Sequence, residues 1–233
     1  MHAPVILNVI YEDNHLLVVN KPAGLLAQGD QTGDPPLADV AARYIKEKYN
    51  KPGAVFVGVV HRLDRPVSGV VVLARTSKAL SRMNRLFGLR ETTKTYLALT
   101  ARRPDADEAR LVHWLKKDEA RNKVSVHNSA VAGALQAELT YRVLRRLDHG
   151  WLIQVNPLTG RPHQIRAQLA SVGAPIIGDV KYGGPPAPEY RGIYLHAWKL
   201  SFTHPVRKEP VSFMAPLPDQ GLWVHVEENS QIE

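Results

Sequence analysis

Apolar and polar positions along this chain change period several times. Residues 5–10 and 15–20 read as two strands joined by a turn at Asp13-Asn14, which predicts a hairpin. A polar stretch rich in structure breakers follows at 26–36, with Gln28, Gly29, Gly33, Asp34, Pro35 and Pro36. Leu37–Tyr49 then carries Leu37, Val40, Ala41, Tyr44 and Ile45 at helical spacing. Val55–Val60 reads as a short apolar strand, and Val70–Ala74 as another. Ser77–Phe87 predicts a second helix, with Leu80, Met83, Asn84 and Phe87 along one face.

Between about 94 and 156 strand-like runs dominate, at 95–100, 123–127, 137–144 and 151–155. The helix after them has the clearest ends. Thr159 is the expected N-cap and Gly173 the terminator, with Ile165, Leu169 and Val172 at core spacing. In that frame His163 and Arg166 share a side face. Residues 183–192 form a breaker-rich loop, and strands near 193–202 and 211–214 complete the chain. Many strands with few helices predict an α+β fold built on a mixed, largely antiparallel sheet.

Composition narrows the class. At 233 residues with 44% hydrophobic content, the chain can bury a full core. It has no apolar run of membrane-spanning length and no signal-peptide pattern, so a cytoplasmic protein is expected. The absence of cysteine excludes disulfides, thiolate nucleophiles and cysteine-ligated metals. A formal charge of +8 points to a polyanionic partner. Arg102-Arg103, Lys116-Lys117 and Arg145-Arg146 could track phosphates or be solvated faces.

The candidate chemistry lies in His61-Arg62-Leu63-Asp64-Arg65-Pro66-Val67-Ser68-Gly69. One carboxylate sits between two arginines in a loop, ahead of an apolar strand. Nearby cations keep a carboxylate ionised, which suits a nucleophile better than a proton donor. Arginines match phosphate in charge and shape. A solvated surface turn also accounts for these residues. His61 and Asp64 are three apart, but no third ligand cluster accompanies them, so no metal is expected.

The block His61-Arg62-Leu63-Asp64, followed by Ser68-Gly69, resembles the catalytic signature of the RluA-type family of RNA pseudouridine synthases. Other blocks match in the family's order: Ile10–Leu25 with its Lys21-Pro22-Ala23-Gly24 turn, Lys94–Leu99, Leu158–Arg166, Ile177-Gly178-Asp179 with Lys181-Tyr182-Gly183, and Leu195-His196-Ala197. The resemblance implies a central bent sheet with flanking helices and an active-site cleft. It also implies one catalytic domain over residues 1–233, without a separate N-terminal RNA-binding domain.

The implied activity is isomerisation of a uridine in structured ribosomal or transfer RNA to pseudouridine. The implied partner is that RNA, with no cofactor, membrane or obligate protein partner. Carried over by position, Asp64 is the nucleophile, Arg166 its salt-bridge partner and Tyr96 the platform for the flipped base. Arg62 fills the space the base vacates, and Arg65, Lys94, Arg161 and His163 contact RNA or shape the pocket. Two rival readings are a catalytically silent RNA-binding or chaperone protein on the same scaffold, and a glycosidic-bond hydrolase. The latter usually pairs two carboxylates, and no second one lies in a family-like block. The chain departs from the family's commoner residues at Val67, Pro162 and Ala167-Gln168.

Overall fold

The computed structural model describes residues 6–29 and 33–227. Residue 5 of the expected first strand and residues 30–32 of the polar loop lie outside the described residues. The chain divides into two compact units, 1–93 with 199–216 and 94–198 with 217–233. Among the described residues, eleven strands and a few helices make the expected α+β fold. Strand β10 (Leu195–Thr203) begins in the second unit and ends in the first.

In the first unit, β1 (Asn8–Glu12) and β2 (Leu16–Lys21) form the predicted antiparallel hairpin. Its turn is held by Asp13, whose carboxylate accepts from the backbone N–H of His15 at 2.8 Å and of Leu16 at 2.7 Å. β2 pairs antiparallel with β4 (Ser68–Ala74), setting Leu17 opposite Leu73 and Val19 opposite Val71. All seven residues of β4 are buried, so its continuous apolar run reflects cover on both faces. β3 is shorter than predicted, only Gly58–Val59, because the chain before it lies at the surface with Phe56 exposed. A side chain at position 58 would press on the Leu80 side chain and force it to shift.

Helix α1 (Leu37–Lys48) buries Leu37, Ala41 and Ile45. Helix α2 (Ser77–Gly88) starts where the Thr76 hydroxyl accepts from Ala79 N–H at 3.1 Å. Ala79 and Met83 define its buried face. Asn84 is exposed, so the true face is rotated away from the expected one toward the alanine. β11 (Pro210–Met214) pairs with β10.

In the second unit the strands run in the order β10, β5, β9, β8, β6, β7. These are β5 (Thr92–Thr100), β6 (Glu108–Asp118), β7 (Lys123–His127), β8 (Leu135–Leu147) and β9 (Gly150–Pro157). The hydropathy pattern assigns no strand at β6. Its ends are charged and most of its residues are only half-buried or exposed, so little apolar alternation survives. Long pairing with β8, from Glu108–Arg142 to Leu115–Leu135, makes it a strand all the same.

Helix α3 (Gln164–Ser171) starts later than expected. Thr159 does not cap it. The threonine hydroxyl accepts from Glu138 N–H at 2.9 Å and donates to Gln164 Oε1 at 2.7 Å. His163 occupies the N-cap position in the left-handed conformation, with φ +51°, so it lies outside the helix and shares no helical face with Arg166. The C-terminal end agrees with the sequence: Gly173 adopts φ +76° just past the helix. A short final helix, α4 (Val224–Glu227), closes the described chain. Among the described residues, no helix is long and apolar enough to cross a membrane.

A buried histidine in the first unit makes stability depend on pH. His204 Nδ1 accepts from the N–H groups of Val206 at 3.3 Å and Arg207 at 3.0 Å, which requires that nitrogen to be unprotonated. Its Nε2 lies 3.0 Å from Asp13 Oδ2. Burial pulls its pKa below the usual 6.5, against the attraction of Asp13 and with the repulsion of Arg207. Unfolded chains therefore take up a proton below pH 6.5 that folded chains resist, so stability falls as pH drops through that window. Denaturant melts between pH 5 and 8 should show this slope in the wild type and lose part of it in His204→Gln. Parallel pH profiles would contradict it.

Candidate active site

The signature loop is anchored from both ends. His61 Nε2 accepts the N–H of Val72 at 3.1 Å, and its ring stacks on Phe87 with centroids 4.8 Å apart. That nitrogen is committed to the backbone, which agrees with a structural rather than a metal-binding histidine. Leu63 and Val67 are buried on either side of Asp64. Val67 N–H closes a turn onto the Asp64 carbonyl at 3.0 Å. Buried packing at position 67 suits valine, which keeps the β-branched shape. Asp64 itself is half-buried and Arg62 is exposed.

Arg65 is tied to the opening Lys-Pro-x-Gly turn. Its Nε donates to the Gly24 carbonyl at 3.0 Å, its terminal nitrogen meets Asp34 at 2.6 Å, and its own carbonyl accepts from Gly24 N–H at 2.8 Å. Beneath this turn lies a lysine to which the sequence reading gives no role. Lys21 is fully buried, and its ammonium donates to the carbonyls of Pro22 at 3.0 Å, Leu25 at 2.8 Å and Arg65 at 3.4 Å. Burial pulls its pKa down to about 7, while Asp64 pulls it up and Arg65 pushes it down. Lys21 thus ties the two motif turns together.

In the second unit, Arg166 is almost completely buried, at 5% exposure, and its guanidinium grips Asp179, at 1%. The pairing is bidentate, Nε to Oδ2 at 2.7 Å and a terminal nitrogen to Oδ1 at 2.9 Å. Asp179 lies in a loop that glycines make possible. Gly178 has φ +86°, and a side chain at Gly184 would overlap the Ile176 carbonyl. A 3-10 turn, Val180–Tyr182, follows, and its Tyr182 ring lies 5.1 Å from the Arg166 guanidinium carbon. The Tyr182 hydroxyl is 2.8 Å from His163 Nδ1. His163 and Arg166 thus meet at one tyrosine rather than along a helix face. Lys21, Asp179 and Tyr182 all fall in the short blocks quoted above, and that was their only signal in the sequence.

The remaining candidates of the second unit lie on β5 and ahead of α3. Tyr96 is half-buried on β5, opposite Val155 of β9 and so on the sheet face that carries Tyr141. The Lys94 carbonyl accepts from Asn156 at 3.3 Å. Arg161 donates from Nε to the Gln136 carbonyl at 3.0 Å. Gln168 is fully buried, and its amide reaches His113 Nδ1 at 3.0 Å. Among the described residues, no group of three or more His, Asp or Glu side chains could hold a metal ion.

This combination of sheet and motif loops defines a class. The solved human RNA pseudouridylate synthase domain containing 4 superposes with a TM-score of 0.77 at 25% identity, covering 95% of this chain and 92% of its own. A second human structure, RNA pseudouridylate synthase domain containing 1, shares the fold with a TM-score of 0.72, covering 98% of this chain and 96% of its own, at 23% identity. A family model described as RNA pseudouridylate synthase matches residues 15–171. The dual-specificity RNA pseudouridine synthase RluA of Haemophilus influenzae is 34% identical over 217 residues, covering 90% of this chain and 92% of that protein. The ribosomal large subunit pseudouridine synthase C of Vibrio vulnificus is 32% identical over 219 residues. That match covers 91% of this chain but 66% of the relative, so the chain spans just under two thirds of that protein's length. The chain belongs to the RluA-type family of RNA pseudouridine synthases.

Lys21 has a measurable signature. Between pH 7 and its ordinary pKa of 10.5, an unfolded chain keeps the lysine proton that the folded chain releases. Stability should therefore rise with pH across that window relative to Lys21→Met. Comparing the two melting temperatures from pH 7 to 10 measures this directly, and a constant difference would remove the buried lysine from the ledger.

Proposed function

We propose that this protein isomerises a uridine in structured ribosomal or transfer RNA to pseudouridine. The observation that carries the reading is Asp64, half-buried in the family's signature loop and held there by two buried neighbours and a closed turn. Asp64 acts as the nucleophile on the target nucleotide. The glycosidic bond to N1 breaks, the base rotates, and C5 bonds to the ribose as Asp64 is released; the C5 proton passes to solvent and N1 takes one up, so the product is an isomer and no oxidant or reductant is needed. No cofactor is required for such an isomerisation. Membership of the family and the order of the motif blocks support assigning Arg166 as the partner that orients Asp64 and Tyr96 as the stacking platform.

RNA engagement falls to Arg62, Arg65, Lys94, Arg161 and His163. A uridine within a stack must be extruded, at a cost of a few kcal/mol, before any carboxylate can reach it. Arg62, exposed two residues from Asp64, fills the vacated space. The name of the Vibrio vulnificus relative supports ribosomal RNA as a substrate class, and a cytoplasmic location fits such a substrate. The whole chain acts as one catalytic domain. A catalytically silent RNA-binding protein would need none of Asp64, Tyr96 and Arg166, yet all three are present.

Tritium release from RNA labelled at uridine C5 tests the reading. Wild type should release the label and Asp64→Asn should not, with RNA affinity within a few-fold. Turnover by the variant would remove Asp64 from its role. Stacking on an aromatic contributes about 1–3 kcal/mol per base, so Tyr96→Leu should slow turnover roughly 5- to 150-fold while bulk RNA affinity changes little. An undiminished rate would leave Tyr96 a sheet residue only.

A further inference from the structure

Tyr182 takes no part in the reaction as described, yet four residues from two segments distant in sequence converge on it. Its hydroxyl accepts the Val124 N–H of β7 at 2.8 Å and lies 2.8 Å from His163 Nδ1 at the head of α3. Its ring carries the Arg166 guanidinium at 5.1 Å and the Lys123 ammonium at 5.7 Å. The His163 and Tyr182 rings meet edge to face, at 88° with centroids 5.7 Å apart. The tyrosine itself comes from the 3-10 turn directly after Asp179.

We propose that Tyr182 is a positioning residue that sets the tautomer of His163 and the orientation of Arg166. The proposal rests on the isomerase reading above. A phenol hydroxyl has one hydrogen to donate and lone pairs to accept with. Val124 N–H can only donate, so it occupies one lone pair; in the proposed arrangement the hydroxyl hydrogen is directed at His163 Nδ1. With Nδ1 accepting, the neutral imidazole carries its hydrogen on Nε2. His163 then presents an N–H donor, the group needed to hold an oxygen of uracil or of RNA phosphate.

Backbone geometry supports a built-in constraint. His163 adopts φ +51°, a conformation uncommon for residues other than glycine and maintained only where the surroundings fix it. Its side-chain bond to Tyr182 is one such restraint. The second task concerns Arg166. Asp179 fixes the guanidinium in its own plane through two hydrogen bonds, and the Tyr182 ring packs within cation–π distance of it. Together they limit both sliding and tilting of the cation assigned to Asp64. A tyrosine serving only to fill space would need its ring but not its hydroxyl.

The test uses the full chain labelled with nitrogen-15 in histidine, as wild type, Tyr182→Phe and Tyr182→Leu, with His163→Gln to assign the resonance. Ring-nitrogen shifts report the tautomer without reference to activity. Wild type should show the Nε2–H form at His163, and Tyr182→Phe should lose that preference. On RNA substrate, Tyr182→Phe should lower kcat about tenfold with KM within twofold, since small misplacements at a reacting centre cost up to a hundredfold. Tyr182→Leu, lacking the ring as well, should fall further. An Nδ1–H form in wild type, or a tautomer and kcat unchanged in Tyr182→Phe, would overturn the proposal. Wild type without turnover would overturn the isomerase reading and with it the positioning role in catalysis, and the tautomer data would still decide whether the hydroxyl sets His163.

Discussion

The buried pairing of Arg166 with Asp179 is the interaction on which the second unit's site depends. A charge moved out of water costs several kcal/mol, and only a well-made ionic partner offsets it. Two parallel hydrogen bonds at 2.7 and 2.9 Å supply that partner. The same bonds fix where α3 and the loop after Ile177 lie with respect to each other. Ala167 on α3 joins Leu115, Val124 and Ala137 in a small apolar cluster, so the helix cannot rotate without opening that packing. Tyr182 packs against the same cluster and bears on Arg166, which makes the polar and apolar constraints mutually dependent.

The first unit solves a related problem with a lysine. Lys21 needs acceptors, and it finds three backbone carbonyls in the turns that flank it. Those carbonyls belong to Pro22, Leu25 and Arg65, so one ammonium joins the opening turn to the signature loop. Burial weakens its hold on a proton, yet the charge of Asp64 opposes that loss. The loop carrying the proposed nucleophile is therefore fastened by the buried strand β4 behind it and by the hydrogen bonds of Lys21 beneath it. Arg65, which looks in the sequence like a second cation beside Asp64, also serves this fastening through Gly24 and Asp34.

The α+β class, most strands, two of the helices and the signature loop that carries Asp64 were legible in the sequence. Those features depend on local periodicity, turn chemistry and short contiguous blocks. Leu37–Lys48 and Ser77–Gly88 came within two residues of expectation because spacing and flanking polar residues act over a few positions. β6 was not legible, since a strand with charged ends and partial burial carries no clear alternation and exists through its pairing with β8. The start of α3 was misplaced for a different reason. Thr159 has the chemistry of a cap, but the backbone of Glu138, twenty-one residues earlier, takes its hydroxyl.

By itself the sequence determined which groups are present, in what order, and which local segments they form. Only the tertiary structure decided the partner of each charged or polar group. Lys21 goes to carbonyls, Arg65 to Asp34, Arg166 to Asp179, and His163 to Tyr182. Hydrogen bonds and ion pairs act over about 3 Å and are indifferent to separation along the chain. Many donors and acceptors of the right type exist in this sequence, and only the packing of strands and helices selects among them.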